Sequence, residues 1–351
     1  MKTAIFLGAG ASAAEGAPIQ RELFKNYFRS RNIKKYPEMF SELSKFFKAI
    51  FHIDLSKSIE NIEFPTFEEA LGILDLSETR RESFRGFDFA GAAPQDNKVQ
   101  LIRHYLILVM SKAISDGLNK AKGKGSHTLL VENLRKQGLI SQTAFISTNY
   151  DLAIDDALNW QINYGVEFAG PNKFGGEGTA QVAQVLLLKL HGSLNWLYCP
   201  VCNNLNSYES KMVLSLMSEN NPRTRCGTCT SVMAPVIVPP TFYKDMSRVF
   251  LSSIWNRTEN ALRDVDHIIF CGYSLPDADM HIKYLLKRMQ TNKAKPELVR
   301  FTIFNHRKGK RKAEADSEEE RFNRYFGKGK VKNTRKSFQD FAKDPKKFYA
   351  K

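Results

Sequence analysis

The residues with the clearest chemical meaning are four cysteines arranged as two Cys-x-x-Cys pairs. Cys199 and Cys202 form the first pair, and Cys226 and Cys229 form the second after a gap of 23 residues. Each pair closes a tight turn that aims both sulfurs at one point, and four thiolates are the ligands that tetrahedral zinc prefers. Two disulfides or unrelated thiols are the alternative, but the chain has only five cysteines and four of them fall in this pattern. We expect a structural zinc ribbon over 196–233, and no catalytic zinc, because four protein ligands leave no open position.

A possible acid or base stands just before this pattern, in Leu190-His191-Gly192. A histidine titrates near neutral pH, which suits proton transfer. Three further polar clusters each follow a short apolar run: Ser147-Thr148-Asn149-Tyr150-Asp151, Gly272-Tyr273-Ser274 and Asn305-His306-Arg307. Each cluster alone also fits a helix cap or turn, and His191 taken alone is more typical of a core histidine bonded to backbone.

The amino-terminal segment has the pattern of a phosphate-binding turn. Thr3–Leu7 predicts a short buried strand, Gly8-Ala9-Gly10-Ala11-Ser12 follows it directly, and a helix is expected from Gln20 to Phe28. A strand, a glycine turn and a helix in this order cradle a pyrophosphate, because glycines let the backbone approach the ligand. The turn therefore indicates a dinucleotide, although many such turns carry glycines for steric reasons alone.

The elements that must position these groups alternate between strands and helices. Apolar runs typical of parallel strands occur at Thr143–Ile146, Val185–Leu190, Val236–Val238, His267–Cys271 and Arg300–Phe304. This alternation predicts an α/β fold with a doubly wound, Rossmann-like parallel sheet, in which polar residues at strand carboxyl ends gather at one edge. We expect the sheet to use residues 1–30, 140–195 and 234–306, with a helical insertion over 31–140.

Composition and charge limit the class of protein. With 42% hydrophobic and 25% charged residues, the 351-residue chain can bury a large core, and no apolar run approaches the roughly 20 residues that span a bilayer. Few cysteines in a metal-type pattern suit a reducing, cytoplasmic location. Residues 307–351 hold 16 Lys/Arg against 7 Asp/Glu, so +9 of the net +15 lies there. This basic segment fits an acidic partner, nucleic acid or a solvated surface, and its aromatics fit docking onto the main domain as well as base stacking.

In motif order, the chain resembles the sirtuin (silent information regulator) superfamily. The glycine turn resembles the family's NAD-binding loop, Ser147–Asp151 stands where the family has Thr-Gln-Asn-Ile-Asp, and Leu190-His191-Gly192 resembles the catalytic histidine motif. The four cysteines follow in family order, and Gly272, Ser274 and Asn305 match the late motifs. The run Phe270–Asp279 is similar to the bacterial sirtuin-like branch found in antiphage defence. The resemblance implies an NAD-binding domain over 1–306 with structural Zn²⁺.

The resemblance also implies a role for each matched residue. Asn149 holds ribose hydroxyls or a water, His191 acts as the base, and Asp151 accepts from the nicotinamide carboxamide. Gly8, Ala9, Gly10, Ser12 and Arg21 surround the phosphates, and Gly272, Ser274 and Asn305 hold the adenosine side.

The chain departs from the deacylase pattern at three points. Gln20 replaces the phenylalanine that shields the reacting sugar carbon from water, and Thr148 replaces a glutamine. The segment Ala234–Pro239 lacks the motif that grips an acyl-lysine peptide. These departures favour an NAD hydrolase that yields nicotinamide and ADP-ribose, as a defence effector activated by a partner or trigger.

Two other functions remain open from the sequence. One is an NAD-dependent protein-lysine deacylase, and the other is a module that binds NAD without turnover. For partners we expect NAD, a homo-oligomer or a protein from a neighbouring gene, nucleic acid only through the basic segment, and no membrane.

Overall fold

The computed structural model describes residues 2–29, 35–84, 98–119, 123–169, 184–208, 224–238, 249–277, 279–305 and 312–349. The chain divides into two compact units. The sheet unit comprises 1–16, 120–238 and 245–351, and the helical unit comprises 17–119 with 239–244. Each unit is described by itself below.

Ten strands occur in the described part of the sheet unit. In chain order they are β1 Lys2–Leu7, β2 Thr143–Ser147, β3 Ile162–Asn163, β4 Val185–Lys189, β5 Gly192–Tyr198, β6 Leu205–Ser207, β7 Ala234–Ile237, β8 Val265–Cys271, β9 Arg300–Phe304 and β10 Val331–Asn333. Seven of them form one sheet in the order β10-β9-β8-β1-β2-β4-β3, and every pairing in it is parallel. The predicted doubly wound parallel sheet is confirmed.

Eleven α-helices occur in the described residues. They are α1 Ala9–Ala13, α2 Gln20–Arg29, α3 Pro37–Phe51, α4 Phe67–Arg80, α5 Lys98–Asn119, α6 Ser126–Lys136, α7 Ala153–Ala157, α8 Val249–Arg263, α9 Met280–Thr291, α10 Lys312–Phe326 and α11 Phe338–Lys343. None of the described helices is both long enough and apolar enough to cross a membrane.

The centre of the parallel sheet is apolar on both faces, which explains why its strands were visible in the sequence. Ala4, Ile5, Phe6 and Leu7 of β1 all have no exposed surface. Parallel strands are covered by other elements on both sides, so their sequences are continuous apolar runs rather than alternating ones. β1 lies between β2 and β8, where the strand order reverses. Ligands of such sheets bind outside the carboxyl ends of the strands at this switch point.

The expectation that Val236–Val238 forms a strand of the parallel sheet is wrong. These residues belong to β7 and the position after it, and β7 pairs antiparallel with β5 in a separate sheet of order β6-β5-β7. A three-residue apolar run predicts burial but does not specify which sheet will bury it. The second sheet carries both cysteine pairs at its end.

The described part of the basic segment, residues 312–349, is folded into the sheet unit. Its strand β10 pairs with β9 and forms the edge of the parallel sheet. The sheet therefore extends beyond residue 306, the last residue that we predicted from the sequence to contribute to it. Four of its aromatics lie in the hydrophobic core: Phe322, Phe326, Phe338 and Phe341. Docking therefore accounts for the aromatic residues. Some of the charge is also paired internally, since Arg335 bonds to Asp316 (3.0 Å) and Glu319.

The helical unit contains α2 to α5 and covers 17–119, whereas the sequence placed the insertion at 31–140. α6 belongs to the sheet unit, where it contacts α11 and α7. The core of the helical unit is rich in phenylalanine, with Phe24 and Phe28 each in ring contact with both Phe47 and Phe64. The amino-acid sequence of 80–94 is typical of a loop that interrupts the helices, and most of it lies outside the described residues, which stop at 84 and resume at 98.

Candidate functional site

The turn after β1 and the turn after β8 interlock through three glycines. The N–H of Gly8 donates to the Cys271 carbonyl (3.0 Å), and the N–H of Gly10 donates to the Gly272 carbonyl (2.9 Å). A Cβ on Gly8 would lie 2.7 Å from the Gly272 oxygen, and one on Gly272 would lie 2.0 Å from the Ala11 nitrogen. The glycines thus permit a backbone contact that no side chain allows. It joins the early and late sequence motifs at the switch point of the sheet.

Three of the predicted site residues form one buried hydrogen-bond network beside this turn. The Ser12 hydroxyl donates to Asp151 Oδ2 (2.7 Å) and accepts from Asn149 Nδ2 (3.0 Å). Asn149 Nδ2 also donates to the Gly8 carbonyl (2.9 Å). Asn149 and Asp151 are 9% and 5% exposed. The carboxyl end of β2 is therefore tied to the carboxyl end of β1 by side chains as well as by the sheet.

His191 lies two residues after the end of β4, and the backbone around it is fixed on both sides. The Leu190 N–H donates to the Ser147 carbonyl (3.0 Å), and the Val238 N–H donates to the His191 carbonyl (2.9 Å). Gly192 has φ +85°, and a Cβ there would lie 2.0 Å from the Val236 oxygen. Glycine is required after His191 because the chain reverses tightly between the parallel sheet and the second sheet.

A buried carboxylate that we did not single out from the sequence lies near the imidazole of His191. His191 Nε2 is 3.9 Å from Asp279 Oδ1, and the Tyr273 hydroxyl donates to Asp279 Oδ2 (3.0 Å). All three side chains are buried. Asp279 is the N-cap residue of α9, and an aspartate before a helical pattern ordinarily indicates only a cap. The distance to His191 depends on tertiary packing, so no local signal was available.

The adenosine-side candidates lie on the turns after β8 and β9. Asn305 Nδ2 donates to the Tyr273 carbonyl (2.6 Å) and to Glu318 Oε1 (2.8 Å), so it bridges the β8 turn and α10. Ser274 is exposed. His306 and Arg307, which complete the predicted cluster, lie outside the described residues.

Two further candidates, Gln20 and Arg21, begin α2 and so belong to the helical unit. The Gln20 side-chain amide donates to the carboxylate of Glu68 in α4. Ala9 is exposed on α1, next to the glycine interlock.

The four cysteines of the second sheet form one compact sulfur cluster. Cys199 and Cys229 sulfurs are 3.4 Å apart, Cys202 and Cys226 are 3.4 Å apart, and all four lie within 4.8 Å of one another. A zinc ion with four bonds of about 2.3 Å holds its sulfurs about 3.8 Å apart, so the spacing fits tetrahedral coordination. All five cysteines of the chain are free thiols.

The pKa values of the cluster cysteines shift in both directions. The Asn204 N–H favours the Cys202 thiolate, but the hydrogen bond to Cys226 and burial outweigh it and raise the pKa of Cys202 to about 12. Backbone N–H groups, first that of Cys229, lower the pKa of Cys226 to about 6. Cys199 and Cys226 are buried, whereas Cys202 and Cys229 are partly exposed. These residues would hold a structural zinc, and the disulfide alternative does not apply to this structure.

Comparison with known proteins identifies the family. A SIR2-like domain matches residues 143–326, more than half of the chain, including Asn149, Asp151, His191 and the cysteine cluster. No curated protein matches the chain.

Solved structures similar to this chain include sirtuins of low sequence identity. A structure described as Sir2-p53 peptide-NAD+ is 14% identical with a TM-score of 0.44, and the alignment covers 99% of this chain and 92% of that one. One described as the structural basis of sirtuin substrate affinity is 16% identical with a TM-score of 0.43, covering 99% and 94%. The family match carries the assignment: the chain belongs to the SIR2-like domain family and is a sirtuin-like, NAD-dependent enzyme.

Proposed function

We propose that the protein hydrolyses NAD to nicotinamide and ADP-ribose, with water as the acceptor of the sugar. The observation that carries the proposal is the buried network of Ser12, Asn149 and Asp151 beside His191, at the carboxyl ends of adjacent strands. It provides an amide, a carboxylate and an imidazole, the groups needed to position a ribose, hold a carboxamide and remove a proton.

Asn149 is arranged to accept a hydrogen bond. Both hydrogens of its Nδ2 are used, one by the Gly8 carbonyl and one by the Ser12 hydroxyl. Its Oδ1 is therefore the atom that would accept from a ribose hydroxyl or from a water molecule. Cleavage of the nicotinamide–ribose bond develops positive charge on the sugar, so precise positioning of the acceptor contributes more than a strong nucleophile.

Asp151 and His191 complete the proposed chemistry. The Asp151 carboxylate accepts from Ser12 and from the Ala153 N–H (3.0 Å), and a carboxylate can accept further bonds, here from the nicotinamide amide. His191 would take the proton from the attacking water or from a ribose hydroxyl. Asp279, 3.9 Å away, would stabilise the resulting imidazolium.

Hydrolysis is favoured over deacylation by two features of the chain. Gln20 stands where deacylases have a shielding phenylalanine, and a polar amide admits water where an aromatic ring excludes it. The strand β7, where a peptide would be gripped, contains Pro235, which has no N–H to donate. A proline on an edge strand opposes the addition of another strand.

Protein-lysine deacylation is the second candidate, and one observation favours it. β7 is an edge strand of the second sheet, and the residue after it, Val238, bonds to the backbone of His191. An extended peptide added to this edge would lie close to the imidazole. Against this, the Val238 carbonyl already accepts from the Tyr150 hydroxyl (2.9 Å).

The biological setting is part of the proposal. Because the run Phe270–Asp279 resembles bacterial antiphage sirtuins, we propose a cytoplasmic defence effector that depletes NAD once a trigger or partner activates it. The active form would be a homo-oligomer or a complex with the product of a neighbouring gene, and one structural zinc would stabilise the cysteine module. Residues 1–306 would supply the NAD-binding chemistry, and the basic surface of 307–351 would contact an acidic partner or nucleic acid.

The test is nicotinamide release from NAD with and without an acetyl-lysine peptide. Release without peptide is expected, and Asn149→Ala or His191→Ala should reduce it by about 10²–10⁴-fold. Asn292→Ala, at an exposed position that ends α9, is the matched control and should leave it unchanged. Release that requires the peptide and yields O-acyl-ADP-ribose would replace the hydrolase with the deacylase.

A further inference from the structure

A charged pair is completely buried beneath the proposed site. Lys189 is the last residue of β4 and Asp155 lies in α7, and neither side chain has any exposed surface. Lys189 Nζ lies 3.1 Å from Asp155 Oδ2 and donates a 2.6 Å hydrogen bond to the backbone carbonyl of Asp151.

Lysine is an unexpected residue at this position of a parallel sheet. The last residues of β1, β8 and β9 are Leu7, Cys271 and Phe304, and all three are fully buried and uncharged. Removing two charges from water is costly, and well-packed apolar residues often serve stability as well as a buried ion pair does. Stability alone therefore does not account for a lysine at the end of β4.

The bonds of Lys189 show what the pair holds in place. Its ammonium fixes the carbonyl of Asp151, while the Asp151 carboxylate faces Ser12 on the glycine turn. Asp155 is itself oriented by the Tyr164 hydroxyl, which donates to its Oδ1 (2.5 Å). Hydrogen bonds thus connect Ser12, after β1, to Asp151, after β2, and Asp151 to Lys189, the last residue of β4. Lys189 stands two residues before His191.

We propose that Lys189 and Asp155 are positioning residues for the NAD reaction. They do not touch the substrate; they set the backbone at Asp151, and through it the orientation of the Asp151 carboxylate and of Asn149. This inference rests on the proposed function for its kinetic effect, but the positioning itself is a property of the unliganded protein.

The test compares Lys189→Met with the double variant Lys189→Met/Asp155→Asn. The single variant leaves Asp155 buried without its cation, so its thermal midpoint should fall. The double variant removes both charges of the pair and keeps an acceptor for Tyr164, so its midpoint should largely recover. If the double variant fails to fold, Asp155→Asn alone is the second variant, because it retains the bond from Lys189 to Asp151.

Lys293→Met is a matched control. Lys293 Nζ makes the same kind of contacts, to the Arg263 carbonyl (2.9 Å) and to Asp266 Oδ1 (3.1 Å), but at the amino end of β8. This variant removes a lysine with equivalent bonds, but at the end of the sheet where the parallel strands begin and not where they end.

Two measurements decide the proposal. In hydrogen–deuterium exchange of the unliganded protein, amides of 148–153 should exchange faster in the double variant even though its midpoint has recovered, and not in Lys293→Met. In kinetics, kcat for nicotinamide release should fall about 10- to 100-fold with a smaller change in KM, because a displaced site loses alignment. Asp155→Asn keeps the bond from Lys189 to the Asp151 carbonyl, so its kcat should fall less than that of the double variant but more than that of Lys293→Met.

A double variant with wild-type exchange at 148–153 and wild-type kcat would overturn the inference and leave the pair a purely structural one. So would an Asp155→Asn or Lys189→Met protein whose kcat falls no more than that of Lys293→Met. If the wild-type protein releases no nicotinamide, the proposed hydrolase fails, and the exchange experiment still decides the role of the pair.

Discussion

Replacing Gly272 with alanine tests whether the two turns at the switch point are in direct backbone contact. Gly272 has φ +67°, and an added Cβ would lie 2.0 Å from the Ala11 nitrogen and 2.4 Å from the Gly10 carbonyl carbon. These are backbone atoms of the turn after β1, so no side chain can rotate away. Either the turn after β8 or the glycine turn must move.

The expected magnitude has two parts. An L-residue in the left-handed region costs about 1–2 kcal/mol, and overpacking a closed contact costs about 1–3 kcal/mol more. Gly138→Ala separates them, because Gly138 has φ +69° but no atom within 4 Å of an added Cβ. We expect a loss of about 1–2 kcal/mol for Gly138→Ala and about 2–5 kcal/mol for Gly272→Ala.

Urea unfolding followed by tryptophan fluorescence gives the free energy of unfolding of the sheet unit for both variants. All three tryptophans of the chain, Trp160, Trp196 and Trp255, belong to the sheet unit. Gly272→Ala should also reduce nicotinamide release, since it displaces the glycine turn, whereas Gly138→Ala should not. Equal losses of stability in the two variants would show that the turns are not in contact and would refute the geometry of the site.

Three further predictions follow from the metal cluster and two titrating groups. Purified protein should contain one zinc per chain, lost in Cys226→Ser and retained in Cys271→Ala; a folded wild type without zinc would contradict this. Burial, with neighbouring cations, lowers the pKa of His267 to about 4. The unfolded state therefore binds a proton that the folded state resists, and stability should fall by about 3 kcal/mol as pH decreases from about 6.5 to 4. His267→Gln should flatten this slope in urea titrations at several pH values. Asp279→Asn removes a negative charge near His191, so the acidic limb of the nicotinamide-release profile should shift to lower pH; an unchanged profile would show that Asp279 does not act on the catalytic base.

The sequence located the parts of the fold that depend on local pattern. Buried parallel strands are continuous apolar runs, so β1, β2, β4, β8 and β9 were predicted close to their observed bounds. β10 was missed because Val331-Lys332-Asn333 has no such run. It is an edge strand, where a lysine is tolerated and discourages pairing with other chains.

The parts of the site that sequence did not reveal depend on contacts between distant residues. Lys189 lay unnoticed inside an apolar run, and its partner Asp155 is 34 positions away. The glycines after β1 were expected to make room for a phosphate, yet the N–H groups of Gly8 and Gly10 bond to the turn after β8. Only the packed sheet brings those turns together.

The central claim is that water, and not an acyl group, captures the sugar after nicotinamide leaves. Chromatographic analysis of the products formed from NAD by the purified protein, with and without an acetyl-lysine peptide, tests it most directly. We predict equal amounts of nicotinamide and ADP-ribose without peptide, at a rate that the peptide does not change and that Asn149→Ala reduces by about 10²–10⁴-fold. Nicotinamide released only when the peptide is present, together with O-acyl-ADP-ribose, would contradict the account.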